Sequence, residues 1–394
     1  MSDFLPYARP CIEEDDTAAV AAVMRSGWLA HGPTVGAFER AFAEAVGAPE
    51  AVACSSGTAA LQLALASLDL GEGDTVIVPS VTFLSTATAA RMLGAEVVFA
   101  DIDPDTGLLT ADRLAEAHTR SGGRARWALP VHLGGRQCDM AALASAAAED
   151  GVGLVEDAAH ALGSSGSDGA AGDCARSSAA CFSLHAIKGV AAGEGGMVTI
   201  RDPARAERMR RLRNHGVTHD SAGFVDPVLS LDAAGERNPW SYEQQELGFN
   251  LRMDEMSAAL GLSQLAKLPR FKARRQALAA AYDAALAPLA PTVRPIVVPA
   301  GQDACLHLYQ VLIDFEAAGV TRARVMRRMA ERGVGVQVHY IPVHRQPYFR
   351  GRYGALHLPG AEAFYARVLA LPLWPGMADA DVARVVEALS EALG

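Results

Sequence analysis

Between residues 51 and 200 short apolar runs alternate with longer Ala- and Leu-rich stretches, and this alternation limits the possible folds more than any other feature. The runs at 51–54, 75–78, 96–100, 126–131, 153–156, 179–183 and 196–200 have the length and bounding residues of strands. Stretches 58–68, 83–93 and 139–149 carry the composition and periodicity of helices. Strand–helix alternation predicts an α/β fold, in which a large and mostly parallel sheet is covered by helices on both faces. Ligands of such sheets bind at the carboxyl ends of the strands, so the loops that follow the runs are where chemistry is expected.

Beyond residue 200 the pattern changes. A helical stretch at 203–213 leads into a polar segment, 217–239, that lacks periodicity and exceeds an ordinary connection; a mobile flap or an interface loop is expected there. Helices are predicted at 253–265 and 270–286, the second a spine into a smaller α+β domain. That domain would hold strands 307–315 and 334–340 and helices 322–332, 361–370 and 379–393. The expected division is a large domain over residues 1–265 and a small C-terminal domain over 266–394, a plausible partition for 394 residues.

Bulk properties exclude several classes. A formal net charge of -10 disfavours a general nucleic-acid or membrane surface. The 6 cysteines are scattered without a CxxC pair, which leaves no metal site to predict and fits reduced thiols. The opening MSDFLPYARP has no basic stretch followed by an apolar one, and no run reaches membrane-span length. A cytoplasmic globular enzyme or binding protein is expected.

Three segments carry candidate chemistry. Lys188 follows an apolar strand and precedes the glycine-rich turn Gly193-Glu-Gly-Gly196. A lone lysine there is usually a solvated surface residue. A semi-buried one loses solvation, which favours the neutral amine that attacks an aldehyde. Asp157 ends another apolar strand, where it either caps a helix or holds a proton on a pyridine nitrogen, as pyridoxal phosphate requires to act as an electron sink. His160, just beyond, either packs or touches that ring's phenolic oxygen. Ser55-Ser56-Gly57-Thr58 runs from a strand into a helix and offers amides and hydroxyls to a phosphate, although small residues open many helices. Ser183 would add a hydroxyl. Phe83 is either a ring-stacking residue or a core residue.

Taken in order, Gly57-Thr-Ala-Ala-Leu, Glu156-Asp-Ala-Ala-His160, Ser183-x-His-x-x-Lys188 and Gly193-Glu-Gly-Gly196 resemble the motifs of DegT/StrS-type sugar aminotransferases, over essentially the whole chain. The resemblance implies a fold-type-I pyridoxal 5′-phosphate enzyme with Lys188 as the catalytic Schiff-base lysine. Gly57, Thr58, Phe83, Asp157, His160 and Ser183 would hold the cofactor. Asn250 would reach the phosphate of a partner subunit in a homodimer with shared sites. Pro239-Trp-Ser-Tyr and Val338-His-Tyr-Ile-Pro-Val-His344 are similar to the branch that serves pseudaminic acid synthesis. That likeness implies L-glutamate as donor and UDP-2-acetamido-2,6-dideoxy-β-L-arabino-hexos-4-ulose as the acceptor, aminated at carbon 4 to UDP-4-amino-4,6-dideoxy-N-acetyl-β-L-altrosamine. Tyr7, Trp28, Leu29, Ala30, His31, Ser56, His339, Tyr340, Ile341 and Pro342 would then contact the nucleotide sugar, with core packing an equal reading for Trp28 and Tyr340. Leu184, Ala186, Ala191 and Ala192 depart from the family's pattern around the lysine, which bears on the substrate more than on the cofactor. Other readings are an aminotransferase of the 4-amino-arabinose or perosamine type and a non-catalytic regulatory protein that binds the cofactor.

Overall fold

Apolar runs bounded by turn residues become the strands of a seven-stranded sheet in the computed structural model, which describes residues 4–226, 228 and 230–394. The strands in chain order are β1 (Glu50–Cys54), β2 (Thr75–Pro79), β3 (Glu96–Ala100), β4 (Ala125–Ala128), β5 (Gly153–Asp157), β6 (Ser165–Gly166), β7 (Gly169–Ala170), β8 (Ala179–Ser183), β9 (Gly196–Ile200), β10 (Val217–Thr218), β11 (Glu243–Gln244), β12 (Val293–Pro295), β13 (Tyr309–Ile313) and β14 (Val368–Leu371). The sheet order is β1-β9-β8-β5-β4-β2-β3. Its neighbours pair in parallel except around β9, which is antiparallel to both β1 and β8. This is the mixed α/β architecture of a fold-type-I transferase.

Helices α1 (Glu14–Ser26), α2 (Thr34–Val46), α3 (Gly57–Ser67), α4 (Leu84–Met92), α5 (Ala111–Arg120), α6 (Met140–Glu149), α7 (Pro203–Leu212) and α8 (Glu255–Leu265) belong with this sheet. Their starts are written locally. Ser56, Asp139, Asp202 and Asp254 each accept an amide of the first turn of the helix that follows, and Pro203 takes a position that needs no donor. On one face of the sheet Phe42 of α2 meets Phe182 of β8 edge-on at 5.0 Å. The other core gathers Leu61 and Leu65 of α3, Ile77 of β2 and Phe99 of β3, all buried.

A second core lies around the antiparallel strands β12-β13-β14 and helices α9 (Leu268–Leu286), α10 (Arg322–Glu331) and α13 (Asp379–Leu393), whereas α11 (Pro347–Tyr353) and α12 (Pro359–Arg367) pack Phe349, Ala361 and Phe364 into the core of the large sheet. Tyr282, Val311, Ile313, Leu369 and Leu389 fill the second core. Leu5 joins this core and bridges Val334, so the first described residues cross to the C-terminal part of the chain.

Three expectations need correction. Residues 334–340 alternate like a strand but form only single bridges, Val334 with Leu5 and Gln337 with Ala370. Their backbone partners change within three residues, so no ladder builds. The stretch read as a helix at 361–370 ends at Arg367, and its apolar tail, Val368–Leu371, instead pairs with β13. The run at 126–131 also stops early: β4 ends at Ala128, and Val131 makes one bridge to Asp157. In the expected excursion at 217–239, β10 opens a small ribbon with β11, and part of the excursion, residues 227 and 229, lies outside the described residues. Among the described residues, no helix is long and apolar enough to cross a membrane.

Candidate active site

The carboxyl ends of the strands converge on a cavity of about 520 Å³. Strand β5 delivers Asp157 to it, β8 delivers Ser183, and the turn from β1 into α3 delivers Ser56, Gly57 and Thr58. Lys188 lies on the loop that returns from β8 to β9. The turn and that loop are in close contact: a Cβ on Gly57 would lie 2.8 Å from Ser183 Cβ, and one on Gly196 would strike the Ser56 carbonyl. Glycine is required at both positions by approach distance. Ser56 Oγ accepts the Ala59 amide at 3.1 Å, while the Gly57 and Thr58 amides sit in the first helical turn, where no intrahelical acceptor exists. Together with the Thr58 and Ser183 hydroxyls they form a seat for a phosphate.

Burial pushes the Lys188 ammonium down to about 8, against the pull of the Asp157 charge. The amine makes no hydrogen bond or ion pair among the described residues. Asp157 accepts the Thr86 hydroxyl at 2.7 Å and the Ala159 amide at 3.2 Å. Burial pushes its carboxyl above the usual carboxylate range, while the Thr86 and Ala159 bonds and the Lys188 charge favour ionisation. A buried carboxylate so placed is stabilised by a cationic N–H donor, which a protonated pyridine nitrogen supplies. Thr82 Oγ1 lies 2.7 Å from Thr86 Oγ1, so the hydroxyl that holds Asp157 is itself held.

The opposite wall comes from the C-terminal part of the chain. His307, Gln337, Val338, His339, Tyr340 and Ile341 line it, with Tyr7 from the N-terminal arm beside them. The Tyr7 and His339 rings lie 5.7 Å apart, and Phe83 meets Tyr340 at 6.0 Å. Burial and the nearby Lys188 charge hold His160 and His307 well below the usual histidine range and bring His339 down to about 4, so three neutral imidazoles surround the lysine.

Of the residues singled out in the sequence, the cavity gathers Tyr7, Ser56, Gly57, Thr58, Phe83, Asp157, His160, Ser183, Lys188, His339, Tyr340 and Ile341. It does not include Pro342, the 28–31 turn or Asn250. Trp28, Leu29, Ala30, His31 and Asn250 are exposed; Asn250 bridges Asn214, and the Leu29 carbonyl accepts the Glu255 amide. Both His160 nitrogens are engaged within the chain, by the Gly134 amide and the Tyr340 hydroxyl, which leaves neither free for the ring oxygen expected from the sequence. Sequence reasoning missed Thr86 and His307. Thr86 sits three residues after Phe83 on α4 and was visible only as one more helical threonine; His307 opens an apolar run and had no local signal.

The chain matches the DegT/DnrJ/EryC1/StrS aminotransferase family over residues 10–390. It belongs to that family. The aminotransferase TlmJ from Streptoalloteichus hindustanus superposes with a TM-score of 0.87 at 32% identity, covering 99% of each chain. DesI, solved with its TDP-sugar product, gives 0.86 at 34% identity over 100% of this chain and 94% of its own. Helicobacter pylori PseC, an aminotransferase of pseudoaminic acid biosynthesis, gives 0.89 at 25% identity and covers 99% of each chain. The family resemblance read from the sequence thus holds across the chain, and with it the cofactor: a Streptococcus pneumoniae relative is solved in PLP and PMP forms. The cofactor of this aminotransferase is pyridoxal 5′-phosphate, and the phosphate seat, the Asp157 carboxylate and the Lys188 amine fit its three ends.

Proposed function

We propose that the chain moves an amino group from L-glutamate to carbon 4 of UDP-2-acetamido-2,6-dideoxy-β-L-arabino-hexos-4-ulose, releasing 2-oxoglutarate and UDP-4-amino-4,6-dideoxy-N-acetyl-β-L-altrosamine. The observation that carries the transaminase part is one cavity holding the Lys188 amine, unpaired among the described residues and brought down to about 8, and the buried Asp157 carboxylate. When bound, pyridoxal phosphate supplies the electron sink that lets the amino group leave one carbon skeleton for another. Lys188 would anchor it covalently. Released from that anchor, its neutral Nζ would take the proton from the substrate carbon and return it at the end of the transfer. Asp157 keeps the ring nitrogen protonated, with Thr86 fixing the carboxylate. Gly57, Thr58 and Ser183 fix the phosphate. The wall of Tyr7, His339, Tyr340 and Ile341 is left to face the sugar.

The choice of sugar rests on the His339-Tyr340-Ile341-Pro342 segment and on the likeness to PseC. A second reading, a thymidine-diphosphate keto sugar as acceptor, draws on the likeness to DesI and its TDP-sugar product. Incubating the holoenzyme with glutamate and each keto sugar, with products assigned by NMR, separates them. Amination of the thymidine-diphosphate sugar alone overturns the first reading, and amination of neither overturns both.

Homodimerisation with shared sites is part of the same proposal, because Asn250 is exposed and outside the cavity of its own chain. Lys188→Ala chains mixed with Asn250→Ala chains should form mixed dimers with one complete site. The activity of each mixed dimer should then rise towards half that of the wild type; a mixture no better than its parents rejects a shared site.

A further inference from the structure

The hydrogen bond between His160 and Tyr340 has a direction that the neighbouring backbone decides. The Gly134 amide, which can only donate, points at His160 Nδ1 at 3.2 Å. Nδ1 is therefore an acceptor without a proton. Burial and the Lys188 and Arg136 charges keep the imidazole neutral, so its single proton is on Nε2. Nε2 lies 3.0 Å from the Tyr340 hydroxyl. Nε2–H donates, and the Tyr340 oxygen accepts. The hydroxyl's own hydrogen must point elsewhere, and among the described residues it meets no acceptor. Tyr340 lines the active cavity. Its ring is flanked by Phe83 and His160, each at 6.0 Å between centroids, with His339 edge-on at 4.8 Å.

We propose that Tyr340 is a fixed hydrogen-bond donor into the active cavity, its polarity imposed by the Gly134 N–H through His160, and that it receives an oxygen bearing negative charge on what is bound there. Two groups offer such an oxygen: the phenolate of the cofactor ring and the carbonyl of the keto sugar, on which negative charge grows as the amine attacks. Burial and the nearby Asp157 and Tyr7 push the Tyr340 phenol up, so the O–H is kept over the working pH range. The proposal assigns to Tyr340 the contact that the sequence suggested for His160, and its sugar arm rests on the function proposed above.

The test uses the holoenzyme and two replacements, Tyr340→Phe and 3-fluorotyrosine at position 340. The second keeps the ring's shape while making the hydroxyl a stronger donor and a weaker acceptor. Three quantities are read: the visible band of the resting enzyme with its pH midpoint, the rate at which L-glutamate bleaches it, and the rate at which the UDP-4-keto sugar restores it. If the acceptor is the cofactor oxygen, Tyr340→Phe shifts the resting band and slows the glutamate step by about tenfold, the loss of one charge-assisted bond. If it is the sugar oxygen, the resting band and glutamate step stay as in the wild type, and kcat/KM for the sugar step falls by about tenfold. Fluorination should move the affected quantity in the direction opposite to Tyr340→Phe. Movement in the same direction overturns the donor polarity, and no change in any quantity overturns the proposal. A Tyr340→Phe chain that fails to fold leaves the fluorinated enzyme to decide. If glutamate does not bleach the wild-type band, the transaminase reading falls, and the resting band alone decides Tyr340.

Discussion

Glu156 and Asp157 are neighbours on β5, and because strand side chains alternate they serve two different cavities. Asp157 faces the cavity of about 520 Å³ that holds Lys188. Glu156 lines one of about 620 Å³ on the other side, with Asp139, Asp168 and Asp173. The larger cavity is closed chemically. Glu156 binds His132 at 2.9 Å, the Gly172 amide at 3.2 Å and Ser177 at 2.6 Å. Asp139 caps α6, Asp168 accepts the Ala141 amide, and Asp173 accepts those of Ala170 and Ala175. Every one of these carboxylates is committed to the fold. In the smaller cavity the Lys188 amine and the first amides of α3 have no partner among the described residues, and burial shifts the protonation of Lys188, Asp157, His160 and His339. Unspent bonding capacity, and not volume, separates a working site from a structural hollow.

The contrast breaks most visibly at Lys188. Lys188→Ala should fold normally yet lose the covalent cofactor link and transamination by several orders of magnitude; appreciable turnover on glutamate would remove the lysine from its assigned role. Next comes the neighbouring pair. Asp157→Asn should reduce turnover by about a hundredfold or more, since it removes the charge that stabilises the ring proton. Glu156→Gln should stay within about twofold in turnover but lose ~1–3 kcal/mol of stability in thermal or denaturant unfolding, from a buried set left incompletely bonded. Equal kinetic effects at the two positions would erase the distinction.

A finer test follows the amine itself. In the cofactor-free protein, reaction of Lys188 with an amine-directed label should reach half-maximum near pH 8, where a free lysine titrates near 10.5. The Asp157 charge raises this value, so Asp157→Asn should move the midpoint lower and Glu156→Gln should leave it in place. Peptide mapping of the label across pH reads both. The smallest effect is expected at Asp168→Asn in the larger cavity: no measurable change in either half-reaction. A clear loss there would mean that this cavity takes part in the chemistry.

The parts of the fold legible in the sequence are those whose neighbours are set locally. The runs at 96–100, 179–183 and 196–200 form strands over the same residues that the sequence marks, because their apolar residues are buried in the sheet. Residues 334–340 alternate just as well, yet their backbone is divided between Leu5 and Ala370, two segments distant in the chain. Val368–Leu371 reads as the end of a helix until β13 presents its edge. The site divides in the same way. Lys188, Asp157 and the Gly57 turn stand beside the strand ends that place them, and a motif shows them. Thr86 and His307 act through groups brought near only by folding, and no spacing in the sequence predicts those contacts.

The reversed strand β9 has an outcome for how such a site can diversify. A parallel partner after β8 would send the chain the length of the sheet before it returned. Because β9 runs the other way, Gly196 sits in register with both Ser183 and Cys54, and the chain comes back at the edge it left. The Leu184 amide binds the Gly195 carbonyl at 2.8 Å, closing the loop at its base. Lys188 thus rides on a span moored at two feet, and residues between the moorings can drift without displacing them. Of the residues that depart from the usual pattern, Ala186, Ala191 and Ala192 fall on that span, and Leu184 is one of its feet. Lineages can retune what the amine meets by editing one short cassette, while the sheet below keeps its foothold.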